Sequence, residues 1–308
     1  MKQMQEIIAK AQQLGMKKLA VASAQEASVL EAVVDAFAHG IAEPILVGDP
    51  DLIAAAAREA FDGKGVDISP FTIIPEKDLY RSAVKAVELV RNGEAAFLMK
   101  GIIDTSLLLK AALNKETGIN AGRLASHVAV MEVPTYHKLL LVTDAAINIA
   151  PDLPAFIDII NSAVQVARAL DVGTPKVAML AAVEKVNPDK MPCTVTASIL
   201  TQMNRRGQIK GCIIDGPLAL DNAISRESAR IKKILSDVAG DADILVAPDI
   251  EAGNILYKCL LDLAQARGAG IVMGAAAPIV LTSRADTAET KLASIALASL
   301  TGNAGVRA

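Results

Sequence analysis

Short runs of apolar residues alternate with longer stretches in which apolar positions recur every three or four residues, along almost the whole chain. The short runs, rich in Val, Ile and Leu, read as strands at 19–22, 44–47, 71–74, 96–99, 128–133, 139–142, 177–180, 211–214, 244–246 and 279–281. Amphipathic helices fill most of the gaps. Val29, Leu30, Val33, Val34 and Phe37 form one stripe, opened by a Ser23-x-x-Glu26 capping box and closed at Gly40. Asp49-Pro50 opens a second helix, with proline at its first position. Leu79, Ala83, Val84, Val87 and Val90 make a third face ending at Gly93, and Met4, Ile7, Ile8, Ala11 and Leu14 line an N-terminal one. This rhythm predicts an α/β fold with mostly parallel sheets. Only 128–133 and 139–142 follow each other closely, with Pro134, Tyr136 and His137 between them. They predict an antiparallel excursion, and a domain change is placed just before it.

Composition narrows the reading. A chain of 308 residues suffices for two domains. Its 52% apolar content is mostly Ala, Val, Ile and Leu, with no Trp, five Phe and three Tyr, which suits strands buried on both faces and opposes a base-stacking platform. A net charge of −3 provides no electrostatic footprint for nucleic acid. The apolar stretch 270–281 is too short to span a bilayer and contains Pro278, and the N-terminal stripe lacks the continuous apolar run of a signal peptide. Cys193, Cys212 and Cys259 are odd in number and widely spaced, which reads as free thiols in a reducing, cytoplasmic setting. No H-x-x-x-H pattern, dinucleotide fingerprint or P-loop occurs, so no tightly held metal or nucleotide is expected.

In open α/β sheets ligands bind beyond the carboxyl ends of the strands. Four strand exits stand out: Met99-Lys100-Gly101, Val142-Thr143-Asp144, Ile214-Asp215-Gly216-Pro217, and Pro248-Asp249 followed by Gly253-Asn254. A fifth is Leu281-Thr282-Ser283-Arg284-Ala285-Asp286, where an apolar run gives way to a helical pattern at Leu292, Ile295, Ala296 and Ser299. Taken singly, each reads as a turn or a helix cap. Taken together they predict a polar cleft. At the fifth exit, unpaired backbone N–H groups and a helix dipole favour an anion, and Arg284 adds a planar fork of donors suited to phosphate. Asp286 and Glu289 fit a D-x-x-E capping box at the same place.

With these residues in view, the chain resembles the phosphate acetyl/butyryltransferases, acyltransferases that use coenzyme A. The resemblance lies in the strings 142–151, 207–211, 215–223, 248–258 and 281–291. It implies two α/β domains facing each other across a cleft, in an isocitrate/isopropylmalate dehydrogenase-like fold. The first domain would comprise 1–125 and 275–308, and the second, 126–274, would carry the contact surface of a homodimer or higher homo-oligomer. The implied reaction is acyl-CoA plus inorganic phosphate giving acyl phosphate plus CoA. It needs no tightly bound cofactor, metal, membrane or nucleic acid, since coenzyme A is substrate and product. In the family an Arg matched by Arg284 binds phosphate and a Ser matched by Ser283 stabilises the reacting group. The family's proposed base, six residues after that Arg, is Thr290 here, so its role does not carry over, and Asp286 and Glu289 are the nearest carboxylates. Lys110 lies near the place of a family Arg. Lys100, Lys110, Thr282, Asp144, Asp215, Asp249, Gly253 and Asn254 are thus the candidate contacts to phosphate and acyl-CoA. Thr290 favours a butyryl-type enzyme. The alternatives are a phosphate acetyltransferase, an NAD- and metal-dependent decarboxylating dehydrogenase of similar fold, and a non-catalytic acyl-CoA sensor.

Overall fold

Strand and helix alternate through the computed structural model, which describes residues 1–282 and 286–302. In chain order the elements begin with α1 (Met4–Leu14), β1 (Lys17–Ala22), α2 (Ala27–Ala38), β2 (Ala42–Gly48), α3 (Pro50–Gly63), β3 (Thr72–Pro75), α4 (Leu79–Arg91), β4 (Phe97–Lys100) and α5 (Thr105–Ala112). Next come β5 (Ser126–Glu132), β6 (Leu140–Thr143), α6 (Leu153–Ala169), β7 (Lys176–Leu180), α7 (Cys193–Arg205), β8 (Ile213–Leu218), α8 (Leu220–Ile224), α9 (Arg226–Ile231) and β9 (Ile244–Val246). The remainder is α10 (Ile250–Lys258), a π-helical turn at Cys259–Leu263, β10 (Arg267–Met273), β11 (Ile279–Val280) and α11 (Ala288–Thr301). Among the described residues no helix is long and apolar enough to cross a membrane.

The chain divides into two compact units, one formed by residues 5–123 and from 269 onward, the other by 1–4 and 124–268. In the first unit the strands lie in the order β3-β2-β1-β4-β11-β10. All are parallel except β10, which runs antiparallel to β11 with Ile271 opposite Val280. Every residue of β4 is buried, which is why its sequence is a continuous apolar run and not an alternating one. In the second unit the order is β5-β6-β9-β7-β8. Here β5 and β6 form the expected antiparallel pair, with Val130 opposite Leu141, and the other pairings are parallel.

Three local expectations are corrected. Strand β10 was hidden by Gly268 and Gly270, because glycine inside a run weakens a strand pattern. Burial sustains it, and the Ser294 hydroxyl accepts a hydrogen bond from the Gly270 N–H at 2.9 Å. The Ser23-x-x-Glu26 box does not form: Ser23 adopts φ 55°, its N–H donates to Ser82 Oγ at 2.8 Å, and Glu26 is the residue preceding α2. Finally, β8 runs through Asp215-Gly216-Pro217 to Leu218. As the outermost strand of its unit it tolerates a proline with no N–H to give.

The β5–β6 turn is pinned by charge. Tyr136 Oη donates to the Ala242 carbonyl at 2.7 Å, and burial together with Asp241 and Asp243 pushes its phenol up. Around Asp241 gather His137 Nε2 at 2.8 Å, Lys176 Nζ at 2.7 Å and Lys138 Nζ at 3.2 Å, while Lys138 also reaches Asp243 at 2.6 Å. Burial pushes the Asp241 carboxyl up, but the hydrogen bonds from Lys176, His137 and Lys138 outweigh it and hold the group well below the usual carboxylate range. A depressed folded-state pKa stabilises above the unfolded value, roughly 3.9, and that contribution fades as pH falls toward the folded value. Asp241→Asn is therefore expected to lower the urea midpoint most at pH 5 to 7, with the gap from the unmodified protein narrowing steadily down to pH 2. A gap independent of pH would show that the charge is not what holds the turn.

Candidate functional site

Parallel pairing brings several strand exits of the first unit to one level. Ala22 is opposite Val47 on one side and Lys100 on the other, and Val280 is opposite Met99, which sets Leu281 beside Lys100. The exit loops interlock through backbone bonds: Gly101 N–H to Ala22 O at 2.8 Å, Ile102 N–H to Ser23 O at 2.9 Å, and Ala24 N–H to Val47 O at 3.0 Å. Gly101 allows this approach, since a Cβ there would overlap the Ser23 carbonyl. Lys100 ends β4 only 7% exposed, and its ammonium donates to the carbonyls of Gly101 at 3.0 Å and Ile103 at 3.3 Å. A buried cation is tolerable only when so hydrogen-bonded. Thr282, two residues past β11, is buried as well.

Ser283 and Arg284 lie outside the described residues. Beyond them α11 opens differently from the expected Asp286-x-x-Glu289 box. Its N-cap is Thr287, whose hydroxyl accepts from Thr290 N–H at 3.2 Å and lies 3.1 Å from the Thr290 hydroxyl. Asp286 therefore precedes the cap, and Glu289 falls in the first turn. Asp286 offers its backbone carbonyl to Lys291 Nζ at 2.9 Å. Sequence reasoning missed Lys291, which is 1% exposed. Lys110 is exposed on α5, with its ammonium 5.6 Å from the centre of the Tyr80 ring at the start of α4.

In the second unit the structure gathers Asp144, Asp249, Gly253 and Asn254 at the exits of β6 and β9. The buried Asp144 carboxylate accepts from the N–H groups of Ala146 at 2.9 Å, Ile147 at 3.0 Å and Asn148 at 3.2 Å, and from Asn148 Nδ2 at 2.6 Å. Asp249 caps α10, accepting from Ala252 N–H at 2.8 Å. Gly253 packs against the same loop, where a Cβ would overlap the Asp144 carbonyl, and Asn254 Nδ2 donates to the Ala145 carbonyl at 2.9 Å. Ile250 N–H adds a bond to Ile149 O at 3.0 Å. The string 248–258 thus locks α10 to the β6 exit, with Asp249 serving as the helix cap. Asp215 does not join this group: it sits within β8, 4.0 Å from Arg205 Nη2.

This lock has a measurable strength. Gly253→Ala forces helix and loop apart and is expected to destabilise by about 1–3 kcal/mol, the usual penalty of overpacking. Asn254→Ala loses one hydrogen bond and is expected to cost about 1 kcal/mol. Urea unfolding of both variants tests the order; a Gly253→Ala protein as stable as the unmodified chain would show that the contact is not a constraint.

Comparison with known proteins places this architecture. The sequence model described as "Phosphate acetyl/butaryl transferase" matches residues 76–299. A phosphate butyryltransferase of Clostridium acetobutylicum is 50% identical over 299 residues, covering 97% of this chain and 98% of that relative. A phosphate acetyltransferase of Thermotoga maritima is 47% identical over 285 residues, covering 92% and 95%. Among solved structures, a branched-chain phosphotransacylase from Enterococcus faecalis V583 superposes with a TM-score of 0.80 at 35% identity, covering 93% of this chain and 99% of that one. Similarity of this extent, over both units and the strand exits just described, makes the chain a member of the phosphate acetyl/butyryl transferase family.

Proposed function

We propose that the protein transfers a short acyl group between coenzyme A and inorganic phosphate, with a butyryl-sized group preferred. The observation that carries this is the end-to-end similarity to a phosphate butyryltransferase. The buried ammonium of Lys100 at the carboxyl edge of the first unit supports an anion there. Similarity to a phosphate acetyltransferase favours the acetyl group as the second reading. One methylene changes apolar binding by only roughly 1–3 kcal/mol, so overlapping substrates are expected.

In the proposed reaction a phosphate oxygen attacks the thioester carbonyl carbon, the carbonyl oxygen gains charge, and the C–S bond then breaks to release CoA. Arg284, with Lys100 and Lys110, neutralises the phosphate. Ser283, with nearby backbone N–H groups, meets the developing oxyanion, and Thr282 contacts phosphate or acyl-CoA. In reverse, the CoA thiol gives its proton to Asp286 or Glu289. Asp144, Asp249, Gly253 and Asn254 shape the second unit's share of the acyl-CoA site, and Asp215 contacts the substrate from β8. Direct transfer between the two substrates needs no enzyme thiol, and burial pushes Cys212 up to about 11, against the pull of Arg168, which opposes a nucleophilic role for it. Rate then comes from holding two substrates in line. We also propose a fold related to that of the isocitrate/isopropylmalate dehydrogenases, with residues 126–274 as a dimerising domain, and a cytoplasmic location. The free thiols support the location.

CoA release from butyryl-CoA, followed with a thiol reagent, is expected to require phosphate. Equal release without phosphate would mark a thioesterase and end this reading. Arg284→Lys is expected to lower kcat/KM for phosphate by roughly 10- to 100-fold, since a point charge does not reproduce the two-pronged bond of a guanidinium. Unaltered phosphate saturation in that variant would remove Arg284 from the phosphate site.

A further inference from the structure

We propose that Ser82 is a positioning residue: its buried hydroxyl holds Ser23 in a left-handed turn, and that turn fixes the backbone carbonyls that bind the Lys100 ammonium. The proposal rests on the reading of Lys100 as a phosphate contact, given above. Ser82 lies one turn into α4 and is wholly buried. Its hydroxyl accepts from the Ser23 N–H at 2.8 Å and donates to the Val47 carbonyl at 3.0 Å. It thereby ties the exit of β1 to the exit of β2 from a third element. Ser23, also wholly buried, adopts φ 55°, a region that residues with a Cβ avoid, and its own hydroxyl donates to the Leu79 carbonyl at 3.3 Å. Such a conformation persists only where its surroundings over-determine it, and α4 supplies both of these bonds.

The turn acts on its far side. It aims the Ser23 carbonyl at the exit of β4, where it accepts from the Ile102 N–H at 2.9 Å, next to the Gly101 N–H bonded to the Ala22 carbonyl at 2.8 Å. Gly101 has no Cβ to hold the two loops apart. Lys100 Nζ takes carbonyl acceptors from either side of Ile102, at Gly101 (3.0 Å) and at Ile103 (3.3 Å). Where Ser23 points therefore decides where this buried ammonium is held. Helix stability does not ask for serine at position 82. Alanine is the better helix former, and a serine inside a helix ordinarily turns its hydroxyl back to the carbonyl four residues earlier. Ser82 instead gives its hydroxyl to two strand exits. With alanine there, the buried Ser23 N–H loses this acceptor, and the balance at Ser23 shifts away from the left-handed turn.

Steady-state kinetics on the full chain, varying phosphate and butyryl-CoA separately, test this in Ser82→Ala and Lys100→Met, in the two combined, and in Ser82→Ala with Ser23→Gly. Ser82→Ala is expected to lower kcat/KM for phosphate about tenfold, as displacement of a contact by a fraction of an ångström does, while the KM for butyryl-CoA moves less than about twofold. Adding Ser23→Gly is expected to bring the phosphate value back to within about threefold of the unmodified protein, because glycine holds a left-handed turn unaided. Ser82→Ala combined with Lys100→Met should cost no more than Lys100→Met alone, because both act through one ammonium. Unchanged phosphate kinetics in Ser82→Ala, equal loss for both substrates, or no recovery on adding Ser23→Gly would make Ser82 a packing residue and overturn the proposal. If Ser82→Ala does not fold, Ser82→Cys, which keeps a weaker donor and acceptor in place, decides by the same split. Two other results would remove its ground. CoA release that needs no phosphate in the unmodified protein would sink the functional reading, and unaltered phosphate use in Lys100→Met would take Lys100 out of the phosphate site.

Discussion

A strand buried on both faces has room for polar chemistry only where it ends, and that constraint organises this molecule. Phe97, Leu98 and Met99 are wholly buried, and β4 reaches a polar side chain only at its last residue, Lys100. Strand β6 does the same, ending at buried Thr143, whose hydroxyl donates to the His127 carbonyl at 2.8 Å. Each polar group at such an edge must be satisfied by the loop it enters, because desolvation leaves no water to do so. The ammonium of Lys100 is held by carbonyls one and three residues on, and the Asp144 carboxylate by N–H groups two, three and four residues on. The chemistry-bearing side chains thereby become the fasteners of their own loops.

Both units meet the same packing demand at these edges with glycine at a backbone contact. Gly101 lies against the Ser23 carbonyl, and Gly253 against the Asp144 carbonyl. Within each unit the contact fixes neighbouring exits to one another, which suits a family whose chemistry reads as transfer between two bound substrates. Rigid elements hold reacting groups far better than free loops, and effective molarity falls steeply with misplacement. The long string 248–258 is then explained mainly by backbone geometry: Asp249 caps, Gly253 admits the loop, and Asn254 ties it.

The α/β alternation was legible because period and run length report burial directly. What escaped were decisions made by tertiary partners. Ser23 and Glu26 fit a capping box locally, but Ser82 on α4 claims the Ser23 N–H and Ser28 claims Glu26. Asp215 looked like a strand exit because Gly216-Pro217 looks like a breaker, yet an outermost strand can carry that proline. Lys291 was invisible for the opposite reason. A lysine in a helical pattern reads as solvent-facing, and only the burial of α11 from Lys291 onward reverses that. The strand-exit rule did locate Lys100, Thr282 and the Asp144–Asn254 group, although it did not distinguish a side chain facing a ligand from one serving its own loop.

The start of α11 shows why the residue types of a cap matter to a site beside it. Thr287 caps the helix through a neutral hydroxyl, and position 290, three residues on, carries a second hydroxyl and no carboxylate. In a capping box with acidic residues at both places, the positive end of the helix would be largely neutralised by the protein itself. Here Glu289 is the acidic residue of the first turn. A charge near a helix N-terminus is worth about 0.3–1 kcal/mol when exposed and up to about 2 kcal/mol when partly buried. An anion placed there thus gains a factor of roughly two to thirty in affinity when no carboxylate pre-empts the dipole. A hydroxyl at position 290 in place of a carboxylate therefore gives the helix start one proton acceptor fewer and leaves more of its dipole open to an anion, with Glu289 the carboxylate that still offsets it.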